Sequence, residues 1–213
     1  MDSDDLARLR RAHEAAGLDE SMLPADPLAL LREWLGAAIE AGLPEPNAMA
    51  VATVATNGTP ALRLVLCKGI DEHGVVFFTN YKSRKARELD GNPSTSAVFP
   101  WHATGRQVRV EGRAERVSEA ESDAYFASRP RGAQLSAWAS KQSNDVSSRA
   151  ELEARVAEMD ERFPGEVPRP PYWGGIRVVP SRVEFWQSRP DRLHDRLVYH
   201  RAGDGWSVVR LQP

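Results

Sequence analysis

The sequence predicts a mainly β protein in which helices flank an antiparallel barrel. Two pairs of strand-like segments are joined by tight turns: Asn57-Gly58 separates residues 49–56 from 61–68, and residues 202–205 separate 197–201 from 206–211. Asn-Gly is a strong hairpin signal. Further alternating apolar segments lie at 75–79, 96–101, 107–117, 175–179 and 182–187. Several short strands joined mostly by tight turns favour an antiparallel barrel over a βαβ sheet.

Capping residues predict where the helices begin. Asp26-Pro27 places an N-cap before a proline at the first helical position. The apolar side chains that follow have helical spacing, and Gly42 marks the end; the packed face is expected to contain Leu31, Trp34, Leu35, Ala38 and Ile39. Ser83 is expected to cap a short helix at 83–89, and Ser118 with Glu121 forms a capping box that opens a helical region from 118 to 163. Residues 4–16 predict a charged helix.

Composition narrows the classes of function. The chain has 213 residues, a formal net charge of -2 and one cysteine, Cys67. The small charge argues against nucleic-acid or membrane partners, and a lone thiol within an apolar run is typical of buried packing in a reducing, cytoplasmic compartment. No apolar run approaches the roughly 20 residues of a membrane span. The acidic N-terminus is unlike that of a signal peptide. With no loose linker, residues 1–213 are interpreted as one domain.

The C-terminal part carries the most informative motif, Glu184-Phe185-Trp186 followed by residues 192–196, Arg-Leu-His-Asp-Arg. Strand alternation puts Glu184 and Trp186 on the face opposite Phe185. If the strand resumes after the turn at Pro190, then Arg192, His194 and Arg196 share one face. Such a face suits an anionic, planar ligand, and the alternative is a solvated edge strand with surface charges.

Other segments combine cations with turns or helix starts. Arg63 and Lys68 bracket an apolar strand, where cations that merely reach solvent are the alternative. Arg84 and Lys85 lie in the first turn of a helix, where they are unfavourable unless an anion binds. Tyr125 and Arg129 share a helix face, and a polar turn contains Lys141, Gln142 and Ser143. Together these segments suggest two phosphorylated ligands that meet at one place. The histidines lack metal-ligand spacing, so no metal is expected and the chemistry is expected to belong to a cofactor.

The motifs, taken together, resemble the pyridoxine/pyridoxamine 5′-phosphate oxidase family. The matching segments are the Glu184 and Arg192 motifs, the Arg63-to-Lys68 strand, Ser83-Arg84-Lys85, Phe99-Pro100-Trp101, Arg106-Gln107-Val108, Tyr125-Phe126 with Ser128-Arg129-Pro130, Lys141-Gln142-Ser143 and Tyr172-Trp173-Gly174-Gly175. The resemblance spans about residues 23–213. It implies a split β-barrel, an antiparallel Greek-key-like FMN-binding fold. It also implies a homodimer with FMN between subunits, a possible substrate lid in residues 1–22, and dimerisation and active-site strands in 171–213.

The resemblance also implies roles for individual residues. Those expected to contact FMN are Arg63, Leu64, Val65, Leu66, Cys67, Lys68, Phe78, Thr79, Ser83, Arg84, Lys85, Gln107, Gln142, Ser143, Trp186 and Arg196. Those expected to hold the substrate are Lys68, Tyr125, Arg129, Ala133, Arg192, His194, Arg10 and Arg11, with Arg192 and His194 as the catalytic pair. Two positions depart from the family pattern. Ala133 replaces a serine, which removes one hydrogen bond of about 1 kcal/mol, and the lid motif Arg-Arg-x-Tyr ends in His13.

The implied reaction converts pyridoxamine 5′-phosphate and pyridoxine 5′-phosphate into pyridoxal 5′-phosphate in vitamin B6 biosynthesis or salvage. A hydride passes to FMN, and O2 reoxidises the flavin with release of hydrogen peroxide. Two alternatives stay open. The chain could be a split-barrel reductase that uses a flavin or deazaflavin on another substrate, which the presence of Arg192 and His194 disfavours, or a non-catalytic carrier of pyridoxal phosphate or FMN.

Overall fold

The computed structural model describes residues 17–213. Within them, nine strands form one sheet: β1 (Ala48–Val54), β2 (Pro60–Leu66), β3 (Gly69–Ile70), β4 (Val75–Asn80), β5 (Ser94–Trp101), β6 (Arg106–Arg116), β7 (Trp173–Gln187), β8 (Asp195–Ala202) and β9 (Gly205–Arg210). The helices are α1 (Pro27–Glu40), α2 (Arg84–Gly91), α3 (Glu119–Ala127), α4 (Arg131–Ala139) and α5 (Arg149–Arg162). The predicted helix at 4–16, with Arg10 and Arg11, lies outside the described residues.

The strands form the expected antiparallel barrel. Their order is β2-β1-β5-β6-β7-β4-β3, with β8 paired to β7 and β9 paired to β8, and every pair is antiparallel. The Lys68 N–H donates to the Val76 carbonyl at 2.8 Å, which brings the end of β2 beside β4. Strand β7 pairs with β4 through its first half and with β8 through its second half. The sheet therefore splits along β7.

The prediction of separate strands at 175–179 and 182–187 was wrong, because β7 is one continuous strand. Opposite Pro180, the register of β6 shifts between Glu111 and Gly112. A Cβ on Gly112 would lie 1.9 Å from the Val179 carbonyl oxygen, so this bulge requires glycine. Proline has no N–H to donate to the ladder, and its position at the bulge lets the strand continue without that hydrogen bond.

The predicted helix starts are confirmed. The Asp26 carboxylate accepts from the Leu28 N–H at 2.9 Å, and the Ser83 hydroxyl accepts from the Ala86 N–H at 3.4 Å. Ser118 and Glu121 form the expected capping box. Gly42 has φ +66° after α1, a conformation that glycine adopts at little cost. One residue of the expected apolar face of α1 differs: Ile39 is 57% exposed.

Two buried clusters support the site. The larger fills the barrel and lies beneath α1, with Leu31, Phe77, Phe99 and Phe185 fully buried. The smaller contains Phe126, Leu135, Met159 and Trp173, and it packs α3, α4 and α5 against the start of β7. Among residues 17–213, no helix combines the length and apolar character of a membrane span.

Candidate active site

A basic cavity of about 650 Å³ lies between β2, the end of β4, the start of α2 and the helix α3. Its lining contains five cations and no carboxylate: Ala61, Leu62, Arg63, Leu64, Val65, Leu66, Lys68, Phe78, Thr79, Asn80, Arg84, Lys85, Tyr125, Arg129, Gln142, Ser143 and Trp173. This excess of positive charge selects an anionic ligand. Most of the site residues predicted from the sequence therefore lie together in this cavity.

Strand β2 presents its edge to the cavity. Six consecutive β2 residues, 61–66, line the space, whereas a strand that presented one face would contribute only alternate residues. The other edge of β2 is paired with β1 along its whole length. The unpaired N–H and C=O groups of the free edge can therefore hydrogen-bond a planar ring that carries amide-like groups.

One corner of the cavity gathers cations from two elements around a buried carboxylate. Glu88 on α2 is 6% exposed and forms ion pairs with Arg63 of β2 at 3.1 Å and with Arg84 at 2.7 Å. Burial alone would raise the pKa of Glu88, but hydrogen bonds from Thr53 and Arg84 hold it below its ordinary value. Glu88, which sequence reasoning missed, thus fixes two guanidiniums at the helix N-terminus.

Lys85 completes this corner as a buried ammonium group. It is 8% exposed, and its Nζ donates to the Thr79 hydroxyl at 3.0 Å. Burial, followed by the neighbouring charge of Arg63, lowers the pKa of Lys85. A phosphate bound here would offset both effects, since it supplies negative charge and further acceptors.

A turn after α4 closes the same corner. The Gln142 side-chain oxygen accepts from the Thr79 hydroxyl at 3.2 Å and from the Asn80 N–H at 3.3 Å. The Ser143 hydroxyl accepts from the Arg84 N–H at 3.2 Å, and Ser143 itself has φ +71°. The left-handed backbone therefore aims Ser143 at the first turn of α2, as the predicted role of this turn requires.

The opposite corner is aromatic. The rings of Phe78 and Tyr125 are stacked with centroids 3.9 Å apart, and Trp173 lies nearly parallel to both. The Arg129 guanidinium lies over Trp173 at 4.5 Å, and its buried Nη1 has no hydrogen-bond partner among the described residues. Burial lowers the pKa of Arg129. A buried, unsatisfied donor of this kind is costly unless a ligand accepts from it.

Other predicted residues form a second cluster on β6, β7 and β8. Gln107, Trp186 and Arg196 occupy adjacent register positions, and the Trp186 and His194 rings lie 4.5 Å apart. Arg196 donates through Nε to Glu184 at 2.8 Å. Glu184 is 2% exposed and also pairs with Arg109 and Arg182. We call these residues with Arg192 the β7 cluster: Gln107, Glu184, Trp186, Arg192, His194 and Arg196.

The expectation that Arg192, His194 and Arg196 alternate along one strand was wrong. Residues Pro190–Arg192 form a 3-10 turn, and β8 begins at Asp195. Asp191 and Arg192 have φ of +55° and +61°, conformations that cost about 1–3 kcal/mol each for residues other than glycine. The Arg189 N–H donates to His194 Nδ1 at 3.1 Å. A strained turn, rather than strand alternation, therefore places Arg192 and His194.

The cavity and the β7 cluster lie at opposite ends of β7. Thr79 pairs with Gly174 at one end, and Gln107 pairs with Trp186 at the other. The twelve residue-to-residue steps from Gly174 to Trp186 span about 40 Å in a straight strand. Within one chain, the predicted site is consequently in two parts.

Among the described residues, three predicted site residues belong neither to the cavity lining nor to the β7 cluster. Cys67 is 5% exposed, and burial raises the pKa of its thiol to about 11, which agrees with a packing role. The fully buried hydroxyl of Ser83 caps α2. Ala133 lies in the first turn of α4, where its N–H donates to the Pro130 carbonyl.

The fold and cavity define a class: a split-barrel protein that binds a phosphorylated, planar ligand beside an edge strand. Family models place the chain within that class. Residues 35–163 match the model described as pyridoxamine 5′-phosphate oxidase, and residues 173–213 match that of the pyridoxine 5′-phosphate oxidase C-terminal dimerisation region. The chain belongs to the pyridoxamine 5′-phosphate oxidase family.

Individual relatives agree over the full length. The chain is 58% identical to a pyridoxine/pyridoxamine 5′-phosphate oxidase of Rubrobacter xylanophilus, covering 98% of this chain and 97% of that protein. It is 55% identical to the enzyme of that name from Thermosynechococcus vestitus, covering 98% and 99%. Among solved structures, PhzG from Burkholderia lata 383, in complex with tetrahydrophenazine-1-carboxylic acid, has a TM-score of 0.89 and 35% identity, covering 95% and 100%.

Proposed function

We propose that the chain oxidises pyridoxamine 5′-phosphate and pyridoxine 5′-phosphate to pyridoxal 5′-phosphate. The observation that carries the proposal is the 58% identity to an oxidase of that name over nearly the whole of both chains. The acid-free cavity supports it, because its two basic corners suit two phosphate groups. As a member of this family, the chain is an FMN-dependent oxidase.

The cavity fits FMN. Arg63, Arg84 and Lys85 would neutralise its phosphate, and Ser143 adds a hydroxyl beside them. The free edge of β2 would hydrogen-bond the flavin ring. When bound, FMN supplies the acceptor for a hydride from the C4′ carbon, and O2 reoxidises it to give hydrogen peroxide. For the amine substrate, water enters and ammonia leaves as the aldehyde forms.

The chain's own part in the reaction is orientation and charge. Arg129, which has an unsatisfied Nη1, would bind the substrate phosphate together with Lys68 and Tyr125. Arg192 would supply a cation to the substrate ring. The Nδ1 of His194 accepts from a backbone N–H, so the proton of its neutral form lies on Nε2, available to a ring substituent of the substrate.

We infer that two copies of the chain build each site. Within one chain, the cavity and the β7 cluster lie at opposite ends of β7, and both contain predicted cofactor residues. Leu62, Leu64 and Leu66 are 69%, 68% and 38% exposed on β2, an apolar row of a kind that usually marks an interface. A homodimer that covers these leucines and brings the partner's β7 cluster to the cavity would complete the site, with FMN between the subunits.

An anaerobic titration tests the function. The purified protein should show flavin bands that bleach on addition of pyridoxamine 5′-phosphate and return with air, together with pyridoxal phosphate. Bands that do not bleach with this substrate would indicate a reductase for another substrate, or a carrier. Bleaching by tetrahydrophenazine-1-carboxylic acid alone would point instead to a substrate that resembles the ligand of PhzG. A colourless protein that cannot be reconstituted with FMN would contradict the proposal.

A further inference from the structure

Arg129 differs from the guanidiniums at the other corner of the cavity in how it is held. Arg63 and Arg84 pair with the Glu88 carboxylate. Arg129 forms no ion pair with a carboxylate among the described residues. Instead its guanidinium lies over the Trp173 ring at 4.5 Å and near the Phe126 ring at 5.6 Å. Its position is thus determined by aromatic contact.

Trp173 is a fixed platform. It is 6% exposed and pairs with Asn80 at the start of β7. Its N–H donates to the Pro170 carbonyl at 3.0 Å, and its carbonyl accepts from Arg169 at 2.7 Å. The ring packs against Phe126 edge-on at 5.1 Å and parallel to Phe78 at 5.6 Å. Contacts on the backbone and the ring therefore leave it little freedom.

This arrangement has a chemical consequence. A guanidinium presents its N–H donors in its own plane, whereas a stacked ring contacts its face. Trp173 can thus hold Arg129 without occupying any N–H, whereas a carboxylate would occupy two and cancel the charge. The Nη1 of Arg129 is such an unoccupied donor, since it is buried and has no hydrogen-bond partner among the described residues.

We propose that Trp173 is a positioning residue that fixes Arg129 for the phosphate of the substrate, so that the cavity favours phosphorylated over unphosphorylated ligands. This inference deepens the proposed function and rests on it. Nothing in it requires Trp173 to touch the reacting atoms. Its effect is on ligand affinity, through the placement of one guanidinium.

Three variants test the role. Trp173→Leu removes the ring face, and Trp173→Phe retains a weaker one. Trp138→Leu is the matched control, because Trp138 lies under Arg162 at 5.3 Å in another cation–π pair and does not line the cavity. If the leucine variant at 173 does not fold, the phenylalanine variant still measures a graded loss.

The experiment uses FMN-loaded protein and three probes: pyridoxal 5′-phosphate, pyridoxal and inorganic phosphate. A cation–π contact of ~0.5–2 kcal/mol corresponds to ~2- to 30-fold in dissociation constant. We expect Trp173→Leu to weaken both phosphate-bearing probes within this range, with Trp173→Phe between it and the unmodified protein. Pyridoxal affinity should change by less than about twofold, and Trp138→Leu should bind all three probes normally.

Equal weakening of pyridoxal and pyridoxal 5′-phosphate would overturn the inference, since it would indicate a general collapse of the cavity. Unchanged phosphate affinity in Trp173→Leu would also overturn it. The proposed function fails separately. A protein that binds inorganic phosphate but does not oxidise pyridoxamine 5′-phosphate would contradict the reaction, while the phosphate comparison would still decide the role of Trp173.

Discussion

Lys85 shows how a single side chain can favour function over stability. Its ammonium group is buried beside Arg63, which makes its charged form unfavourable in the folded protein without a ligand. Because the folded-state pKa of Lys85 is lowered, the stability deficit is fully present below that pKa and is relieved as the pH rises through it. An anionic ligand would remove the deficit.

We therefore expect Lys85→Met to stabilise the FMN-free protein by about 1 kcal/mol, or ~2–4 °C in Tm. The same change should weaken FMN binding ~10- to 100-fold, through loss of a charge-assisted hydrogen bond. Thermal unfolding and flavin titration measure the two effects. Lys82→Met is the control, since Lys82 is exposed and does not line the cavity. A less stable variant with normal FMN affinity would contradict this account.

Arg192 is the residue for which substrate and cofactor roles separate most clearly. We expect Arg192→Ala to lower kcat/KM for pyridoxamine 5′-phosphate by at least ~10-fold, because one charged contact with the substrate is lost, and to leave FMN affinity nearly unchanged. Arg201→Ala, at an exposed position on β8, is the control. Loss of flavin with normal substrate affinity would show that the substrate role assigned to Arg192 is wrong.

Residue types and spacing indicated which cations lie together. Arg63, Lys68, Arg84, Lys85 and Arg129 all line one cavity, while their roles toward two phosphorylated ligands stay predictions. Spacing could not predict the positions of Glu88 or Trp173 relative to them. Glu88 is an acidic residue within a charged helix, and Trp173 stands beside two glycines in the sequence. Both contact their partners only when distant elements pack together. The Tyr172-Trp173-Gly174-Gly175 motif was the available signal for Trp173.

At the scale of elements, Glu184 organises the end of β7. Its carboxylate, 2% exposed, pairs with guanidiniums from β6, β7 and β8. Burial would raise the pKa of Glu184, but a hydrogen bond from Arg196 and the charge of Arg109 keep it lowered. A lowered folded-state pKa contributes stability that is present above the ordinary value of 4.5 and is lost as the pH falls through the folded-state pKa.

We expect Glu184→Gln to destabilise the protein by about 2 kcal/mol at neutral pH, because it removes a buried carboxylate that accepts charged hydrogen bonds and leaves the Arg196 guanidinium without its anion. The difference from the unmodified protein should shrink as the pH falls below 4.5, where the unfolded chain binds a proton at Glu184, and should be lost below the lowered folded-state pKa, where the folded carboxyl is protonated too. Denaturant unfolding across pH measures this. Glu153→Gln, in an exposed pair on α5, should change stability by under ~0.5 kcal/mol. A pH-independent difference would contradict the role of the charge.

Elements were predicted well where capping or turn chemistry is local. The starts of α1 and α2 and the β1–β2 hairpin follow from residues that neighbour one another in sequence. The continuity of β7 did not, because the register shift at Pro180 depends on its pairing with Gly112 of β6, a residue distant in sequence. The turn at Pro190 was expected, but its extension through Arg192 was not, since the left-handed conformations of Asp191 and Arg192 have no propensity signal.

For the whole molecule, the sequence predicted the barrel class and, through resemblance, the family. Sequence motifs alone did not reveal that one chain carries the predicted site in two parts, because motifs have no distances. The continuous β7 makes this division visible, and the exposed leucines of β2 indicate where another copy would pack. The interpretation of residues 1–213 as one domain stays a prediction.

A hybrid dimer tests most directly the claim that two copies share each site. Lys85→Met disables the cavity and Arg196→Met disables the β7 cluster. The two variants, co-expressed with different tags and purified as the mixed dimer, should form one intact site and one doubly defective site, and so recover about half the FMN and oxidase activity of the unmodified dimer. A mixed dimer that binds no more FMN than either parent would contradict the claim and place each complete site within one chain.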